Sequence, residues 1–178
     1  MGAAVKIPDW QQDLTWSNQL FLTEVWPRIK ERCGGGQIRP VEILKDDEIA
    51  KELDVLCGID IWQVIDGQGA RGIASRVQNE TRESKKGINW KTFTIRYSRN
   101  DTGAKTEYHK RKEAIETGRY IYPFLTCQAY FDHGEFVGGG IARTIDVFNN
   151  INLRQKRTAD NATFLYVYFD DVPHIWEF

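Results

Sequence analysis

The pattern of apolar and polar positions along the chain predicts a mixture of helices and strands. Apolar residues spaced three to four positions apart, or helix-forming composition, predict helices in four segments: 16–32, 41–56, 104–117 and 141–151. Alternating or short β-rich apolar runs predict strands in five segments: 59–65, 72–78, 90–98, 120–131 and 163–172. The turn-rich tetrapeptide 66–69 joins the first two strands into a hairpin. The segment 41–56 is a helix or a short strand that leads into one.

Two glycine triplets are predicted to break this pattern. Glycines 34–36 follow the first helix as a stop and a flexible joint. Glycines 138–140 precede the last predicted helix, and because no Walker lysine follows them we interpret them as a hinge or a tight turn. Pro27 is expected to kink or restart the first helix.

From residue 41 onward the predicted order is helix, strand, strand, strand, helix, strand, and then an extra helix and strand. This order is typical of the α+β class, here a mixed β-sheet with helices against it. A chain of 178 residues has the size of one domain, so we interpret 1–178 as a single domain. Its parts are an N-terminal helical extension (1–36), a core (41–131) and a C-terminal helix plus strand (132–178).

Composition narrows the class of protein. Apolar residues make up 41% of the chain and charged residues 28%, which is near the globular average and argues against disorder and coiled coil. No apolar run approaches the roughly 18 residues that span a bilayer, and the first residues lack the apolar stretch of a signal peptide. Cysteines 33, 57 and 127 have neither disulfide-framework nor zinc-ligand spacing. We therefore expect a cytoplasmic protein with no membrane segment.

Positive charge is concentrated in the middle of the chain. Residues 71–119 contain thirteen Lys and Arg against six Asp and Glu, a net charge of +7, whereas the rest of the chain carries −8. Such polarity can give a folded domain a basic face that attracts a polyanion, and nucleic acid is the natural candidate. The alternative is a solvated surface that has no target.

Within this segment, basic and aromatic residues are interleaved. Each phosphate that a basic residue neutralises makes binding more dependent on salt. The candidates for nucleic-acid contacts are Arg96, Arg99, Lys105, Lys110, Arg111 and Lys112. The aromatic residues are base-stacking groups or, more commonly in such domains, part of the core. They are Trp90, Phe93, Tyr97 and Tyr108.

The string LDVLCGIDIWQV, followed after a glycine turn by GIASRVQ, resembles the core of the PD-(D/E)XK nucleases, the restriction-endonuclease-like superfamily. The family order αβββαβ matches the elements predicted over 41–131, about half of the chain. The resemblance implies that Asp60 is the metal-binding aspartate and that Glu42 or Glu24 is the helix carboxylate. It also implies that Arg76 occupies the position of the family's lysine.

The family's chemistry rests on carboxylates that hold Mg²⁺ or Mn²⁺, whose bound water attacks the phosphodiester. Residues 74 and 76 share one face of a strand. Ala74 stands where the family has its second acid, and Arg76 can hold a phosphate but is a poor proton acceptor. An active site therefore needs substitutes, with Glu80 as a further acid. The candidate metal ligands are Asp60, Glu42 and Asp54, and the candidate catalytic residues are Asp60, Arg76, Gln78 and Glu42.

Two functions agree with this sequence. The first is a nucleic-acid-binding protein with a nuclease-like core, which is a Mg²⁺-dependent DNA endonuclease if its site is active. The alternative, motivated by Ala74 and Arg76, is a catalytically inactive phage or mobile-element protein that binds nucleic acid or inhibits a nucleic-acid-handling complex. Structural roles for Asp60, as a turn or cap residue, and for Arg76, as a surface charge, stay open. So do a protein partner, a homodimer and an assembly role.

Overall fold

The computed structural model describes residues 16–41, 57–79, 91–99, 105–159 and 162–178. Helix α1 contains residues 16–20 in α-helical form, a π-helical stretch, Phe21–Val25, and an α-helical turn, Trp26–Ile29. The other helices are α2 (Glu107–Thr117) and α3 (Thr144–Asn149). The strands are β1 (Gln37–Pro40), β2 (Ile61–Ile65), β3 (Gly69–Asn79), β4 (Thr92–Arg99), β5 (Leu125–Asp132), β6 (Glu135–Arg143), β7 (Lys156–Ala159), β8 (Ala162–Tyr168) and β9 (Trp176–Glu177).

The described strands form two sheets. The larger sheet has six strands in the order β1-β2-β3-β5-β6-β9, and the smaller has three in the order β4-β8-β7. All neighbours are antiparallel except β3 and β5, which run parallel. The α+β class expected from the sequence is therefore confirmed. The predicted third strand, β4, belongs to the smaller sheet instead of extending the β2–β3 hairpin.

The parallel β3–β5 pair determines the path of the chain. Parallel neighbours cannot be joined by a tight turn and need a crossover connection of a dozen or more residues. Here the crossover includes β4 and α2, so the chain leaves the larger sheet, contributes a strand to the smaller one and returns along α2. This crossover places the N-terminal part of α2 beside the middle of β3 and β5.

Two hydrophobic cores lie on opposite faces of the larger sheet. Helix α1 packs on one face, where Phe21 and Ile29 join Ile73 and Phe131. The smaller sheet, α2 and α3 enclose the other core. Strand β5 separates the two, because its residues 125–131 are all buried. A strand covered on both faces in this way accepts a nearly continuous apolar sequence, which is what the predicted strand 120–131 shows.

The end of α1 is held by the first hairpin. Glycines 34–36 have positive φ angles of 74°, 72° and 83°, which the predicted helix stop requires. The buried amide of Gln63 donates to the carbonyl oxygens of Cys33 (2.8 Å) and Gly35 (2.7 Å), and Arg71 also donates to the Cys33 carbonyl (2.6 Å). Pro27 lies at the start of the Trp26–Ile29 turn, directly after the π-helical stretch.

The interpretation of glycines 138–140 as a hinge or tight turn is wrong. These residues lie inside β6, where they pair with β5. A Cβ atom on Gly139 would come within 2.5 Å of the Phe178 ring and 2.7 Å of the Gln128 carbonyl oxygen. The glycine thus permits a close approach of the C-terminal ring to the sheet. Pairing continues to Arg143, so the following helix begins at Thr144 and not at residue 141 as predicted.

The other predicted elements differ from the structure mainly at their ends. The helix predicted over 104–117 begins at Glu107, and the last predicted strand is β8. The element predicted over 41–56 lies outside the described residues, apart from residue 41. Within the described ranges, no helix combines the length and apolarity needed to cross a bilayer.

Candidate functional site

A cavity of about 510 Å³ opens between the two sheets where α2 crosses the middle of β3 and β5. Its walls come from five parts of the chain: the segment before β2, the strands β3, β4 and β5, and the beginning of α2. The described lining residues are Gly58, Asp60, Ala74, Ser75, Arg76, Thr94, Arg96, Arg99, Lys105, Thr106, Glu107, Lys110, Arg111, Thr126, Cys127 and Gln128. The parallel register pairs 74–76 with 126–128, which makes β3 and β5 a continuous wall.

The lining of the cavity is strongly cationic. Only two of the described lining residues are acidic, Asp60 and Glu107. Six are basic: Arg76, Arg96, Arg99, Lys105, Lys110 and Arg111. A partly enclosed space with excess positive charge concentrates the field and favours the entry of an anion.

Asp60 is fixed at the cavity by the β2–β3 hairpin. Its carboxylate oxygen Oδ2 accepts a hydrogen bond of 2.7 Å from the backbone N–H of Ser75. Its own backbone N–H donates to the carbonyl oxygen of Ile73 at 3.1 Å. Arg76 directly follows Ser75 on β3. The hairpin therefore brings Asp60 and Arg76 to the same cavity.

Glu107, in the first turn of α2, is the counter-ion of the cationic lining. Its Oε2 accepts from the guanidinium of Arg76 at 2.9 Å and from the backbone N–H of Arg96 at 3.2 Å. Its Oε1 accepts from the guanidinium of Arg111 at 2.5 Å. Burial raises the pKa of the Glu107 carboxyl, but the charges of Arg111 and Arg76 outweigh burial and hold the pKa below its ordinary value. Glu107 is therefore a charged, structural group at neutral pH.

Arg111 is a buried residue of the cavity lining. The residue is only 3% exposed, and besides Glu107 it binds the carbonyl oxygen of Gly58 at 2.8 Å. Its Nε atom is buried and has no hydrogen-bond partner among the described residues. This geometry makes Arg111 a fixed donor inside the cavity rather than a mobile surface contact.

Arg96 presents a second buried donor. Its Nε is also buried without a hydrogen-bond partner in the described part of the chain. Burial lowers the pKa of this guanidinium, and the positive charges of Arg76 and Arg99 lower it further. The guanidiniums of Arg96 and Arg76 both lie over the ring of Phe164, at 5.7 and 5.3 Å from its centroid. Like charges are thus held together, and the charge of Glu107 opposes their effect on the pKa of Arg96 only in part.

Five of the six predicted nucleic-acid contacts line this cavity, and Lys112 does not. Lys112 borders a separate pocket of about 200 Å³, where its ammonium lies 5.6 Å from the Tyr108 ring centroid. It also forms a 3.6 Å ion pair with Glu116. Lys105 pairs with Glu113 at the margin of the cavity.

The remaining catalytic candidates are placed differently. Gln78 does not line the cavity, and its amide oxygen accepts a 2.7 Å hydrogen bond from Gln128. Glu24 lies on α1, where it pairs with Arg28 at 3.0 Å. Glu42, Asp54 and Glu80 lie outside the described residues.

Among the described residues, Asp60 is not part of a group of side chains that could bind a metal ion. Within the part of the chain that the structure describes, no three His, Cys, Asp or Glu side chains are grouped so that they could hold a metal ion. Glu107, the other described carboxylate of the cavity, is engaged by two guanidiniums. Further carboxylates for a Mg²⁺ or Mn²⁺ site would come from residues outside the described ranges, among which the sequence offers Glu42, Asp54 and Glu80.

Three of the four aromatic residues considered for base stacking lie in the core or pack against it. Phe93 is 1% exposed and Tyr108 is 6% exposed, and both lie in the core between the sheets. Tyr97 packs against Tyr108 with a centroid distance of 5.2 Å and lies under the ammonium of Lys156. Trp90 lies outside the described residues. None of the described lining residues is aromatic.

Glu107 and Gln128 were not predicted from the sequence to lie at the site. Glu107 begins a helix whose next residues are mostly basic, so the sequence suggests a basic helix and gives no sign that this one carboxylate has a separate role. Gln128 is a polar residue inside an apolar strand, and this position in the sequence was the signal that could have indicated a role. In the structure it is 1% exposed. Its amide oxygen accepts from the backbone N–H of Thr94 at 3.2 Å, so it links β5 to β4 beside the cavity.

Comparison with protein-family models, with curated proteins and with solved structures finds no match to this chain.

Proposed function

We propose that this protein binds nucleic acid and that phosphate groups of the bound strand enter the cationic cavity. The observation that carries the proposal is the convergence of six basic side chains and only two carboxylates on one partly enclosed space. Guanidinium groups form short, paired hydrogen bonds with phosphate oxygens, and four of the six basic groups are arginines. Burial of Arg96 and Arg111 strengthens such contacts because less water competes for the donors.

Binding is tested by fluorescence anisotropy with labelled single-stranded DNA, duplex DNA and RNA. The cavity has an excess of about four cations, so about four phosphates are neutralised and the affinity for a single strand falls about 50-fold between 50 and 200 mM salt. Affinity that is absent for every polymer contradicts the proposal. Tight association with a protein in place of nucleic acid would favour an inhibitor of a nucleic-acid-handling complex.

A second candidate is a Mg²⁺-dependent phosphodiesterase on a restriction-endonuclease-like core. The presence of Asp60 and Arg76 at one cavity favours it, as does a β2–β3 hairpin followed by a strand, a helix and a parallel strand. Asp60, together with Glu42 or Asp54, would hold the ion, which would supply a water acidic enough to attack a phosphodiester. Arg76 would bind the phosphate. Its pairing with Glu107 and its high basicity favour a role in binding over proton transfer.

Cleavage is tested by incubating the protein with linear, circular and single-stranded DNA and with RNA, in Mg²⁺ or Mn²⁺. Asp60→Ala removes the carboxylate at the hairpin and is expected to abolish any metal-dependent product. Because Asp60 also accepts a backbone hydrogen bond, Asp60→Asn serves as the matched variant that keeps an acceptor. Metal-dependent product that persists in both variants, or no product from any substrate, removes the enzymatic proposal and leaves a catalytically inactive binding protein, as expected of some phage or mobile-element proteins.

A further inference from the structure

We infer that the cavity holds the sugar–phosphate backbone and leaves the bases outside, so that affinity does not depend on which bases are present or on whether there are any. The inference rests on the proposed nucleic-acid binding and narrows the ligand within that class. A backbone ligand offers charged acceptor oxygens, whereas a base offers a flat ring and an edge of donors and acceptors. The described lining of the cavity has charged donors for the first and no aromatic ring on which the second could stack.

The two arginines with buried Nε donors match a phosphate. A buried donor without a partner costs about 1–3 kcal/mol in desolvation, and an acceptor that reaches it recovers that cost. The Nε atoms of Arg96 and Arg111 are both in this state within the described residues, and both arginines line the same cavity. Arg111 is only 3% exposed, so its side chain is held at this cavity and is not available to another surface. Both arginines bring a positive charge to the cavity, and an anionic oxygen pairs with a guanidinium more strongly than a neutral acceptor does.

Three neutral polar side chains of the lining are already committed to protein partners. The Gln128 amide binds Gln78 and the backbone of Thr94. The Thr126 hydroxyl pairs with the hydroxyl of Thr144 at 2.8 Å, and that of Thr106 donates to the Tyr97 carbonyl at 2.7 Å. Glutamine and threonine side chains can read base edges, and the engagement of these three leaves the arginines and lysines of the lining to make the contacts.

No surface for base stacking lines the cavity in the described part of the chain. Stacking of one base on an aromatic side chain contributes about 1–3 kcal/mol, so its absence matters for affinity. Phe93 and Tyr108 are buried in the core, and Tyr97 is covered by Lys156. Two of the undescribed ranges contain an aromatic residue, 1–15 with Trp10 and 80–90 with Trp90, whereas 42–56, 100–104 and 160–161 contain none.

The test compares a fluorescein-labelled oligothymidylate with an abasic oligomer of the same length, in which every base is absent and every phosphate is kept. We expect the two dissociation constants to agree within about fivefold, since stacking on even one ring contributes about fivefold or more. A larger loss for the abasic oligomer overturns the inference while leaving the proposed function intact. Failure of both oligomers to bind overturns the inference, and failure of duplex DNA and RNA to bind as well refutes the proposed function.

Variants locate the contacts. Arg96→Ala is expected to weaken both oligomers by about the same factor, roughly tenfold, because it removes a charge-assisted contact to phosphate. Arg154→Ala, on an exposed turn outside the cavity, is the matched control and should leave both affinities unchanged. Trp90→Ala should also change neither. If Trp90→Ala weakens the oligothymidylate alone, or Arg96→Ala changes neither affinity, the inference is overturned.

Discussion

Replacing Glu107 by glutamine is the sharpest perturbation of the cavity. Glutamine keeps nearly the same shape and one acceptor oxygen but removes the negative charge beside Arg111, whose side chain is 4% exposed. Removing one member of a fully buried ion pair costs about 3–5 kcal/mol. The Glu107 side chain is 19% exposed, so we expect the free energy of unfolding to fall by about 2–3 kcal/mol. In a chain of this size that lowers the melting temperature by about 4–12 °C.

The effect of this substitution must depend on pH. Burial raises the pKa of Glu107, yet Arg111 and Arg76 outweigh burial, so the folded-state value lies below the ordinary 4.5. The folded protein therefore holds the proton less tightly than the unfolded chain does. The stabilisation is complete above the ordinary pKa and is lost as the pH falls through the lower folded-state value. The difference in melting temperature between wild type and Glu107→Gln should accordingly be full at neutral pH and shrink in acid.

Thermal unfolding followed by circular dichroism over a pH series measures both effects. The matched control is Glu113→Gln on the same helix, since Glu113 is 39% exposed and pairs with Lys105 at the surface. Exposed pairs contribute at most about 1 kcal/mol, so the control should melt within a few degrees of wild type. If Glu107→Gln also melts within a few degrees of wild type at neutral pH, the assigned role of Glu107 is refuted. The role is refuted equally if the difference in melting temperature does not shrink in acid.

Two further predictions concern packing and thiol chemistry. Gly139→Ala should lower the free energy of unfolding by about 1–3 kcal/mol, measured in urea, because the new methyl group overlaps the Phe178 ring. Gly138→Ala, where the nearest atom to a new Cβ is 3.7 Å away, is the control, and equal midpoints for the two variants would contradict the packing argument. Burial raises the pKa of the Cys127 thiol well above 9.0, and this cysteine is 1% exposed, so a thiol reagent should modify the partly exposed Cys57 first. Mass spectrometry of partly labelled protein checks the order, and simultaneous labelling of the two thiols is the contrary result.

Local patterns in the sequence were sufficient for several elements. The alternation in 59–65 and 72–78, with a turn between them, predicted the hairpin that the structure shows as β2 and β3. The helix ending before glycines 34–36 was likewise predicted, because a helix stop is a local property. Asp60 and Arg76 could be expected at one site for the same reason, since Asp60 directly precedes the first strand of the hairpin and Arg76 lies on the second.

Features that depend on distant partners could not be read in this way. The alternation of β4 predicts a strand but not its neighbour, which is β8, some seventy positions later in the chain. Glu107 binds groups that are 31, 11 and 4 residues away in sequence, and only the last separation is a helical contact. Glycines 138–140 suggested a turn because the residues that pack on them are distant in sequence: the ring of Phe178 packs on Gly139 and the ring of Phe169 on Gly140.

The crossover between β3 and β5 means that no short fragment of this protein contains the cavity. Its walls extend from Gly58 to Gln128 and require both sheets to be docked. A polyanion that fills it would touch groups from each sheet at once and would act as a clamp between them. Since a ligand that binds only the folded state stabilises it by mass action, occupancy of the cavity would be coupled to the unfolding of the whole chain.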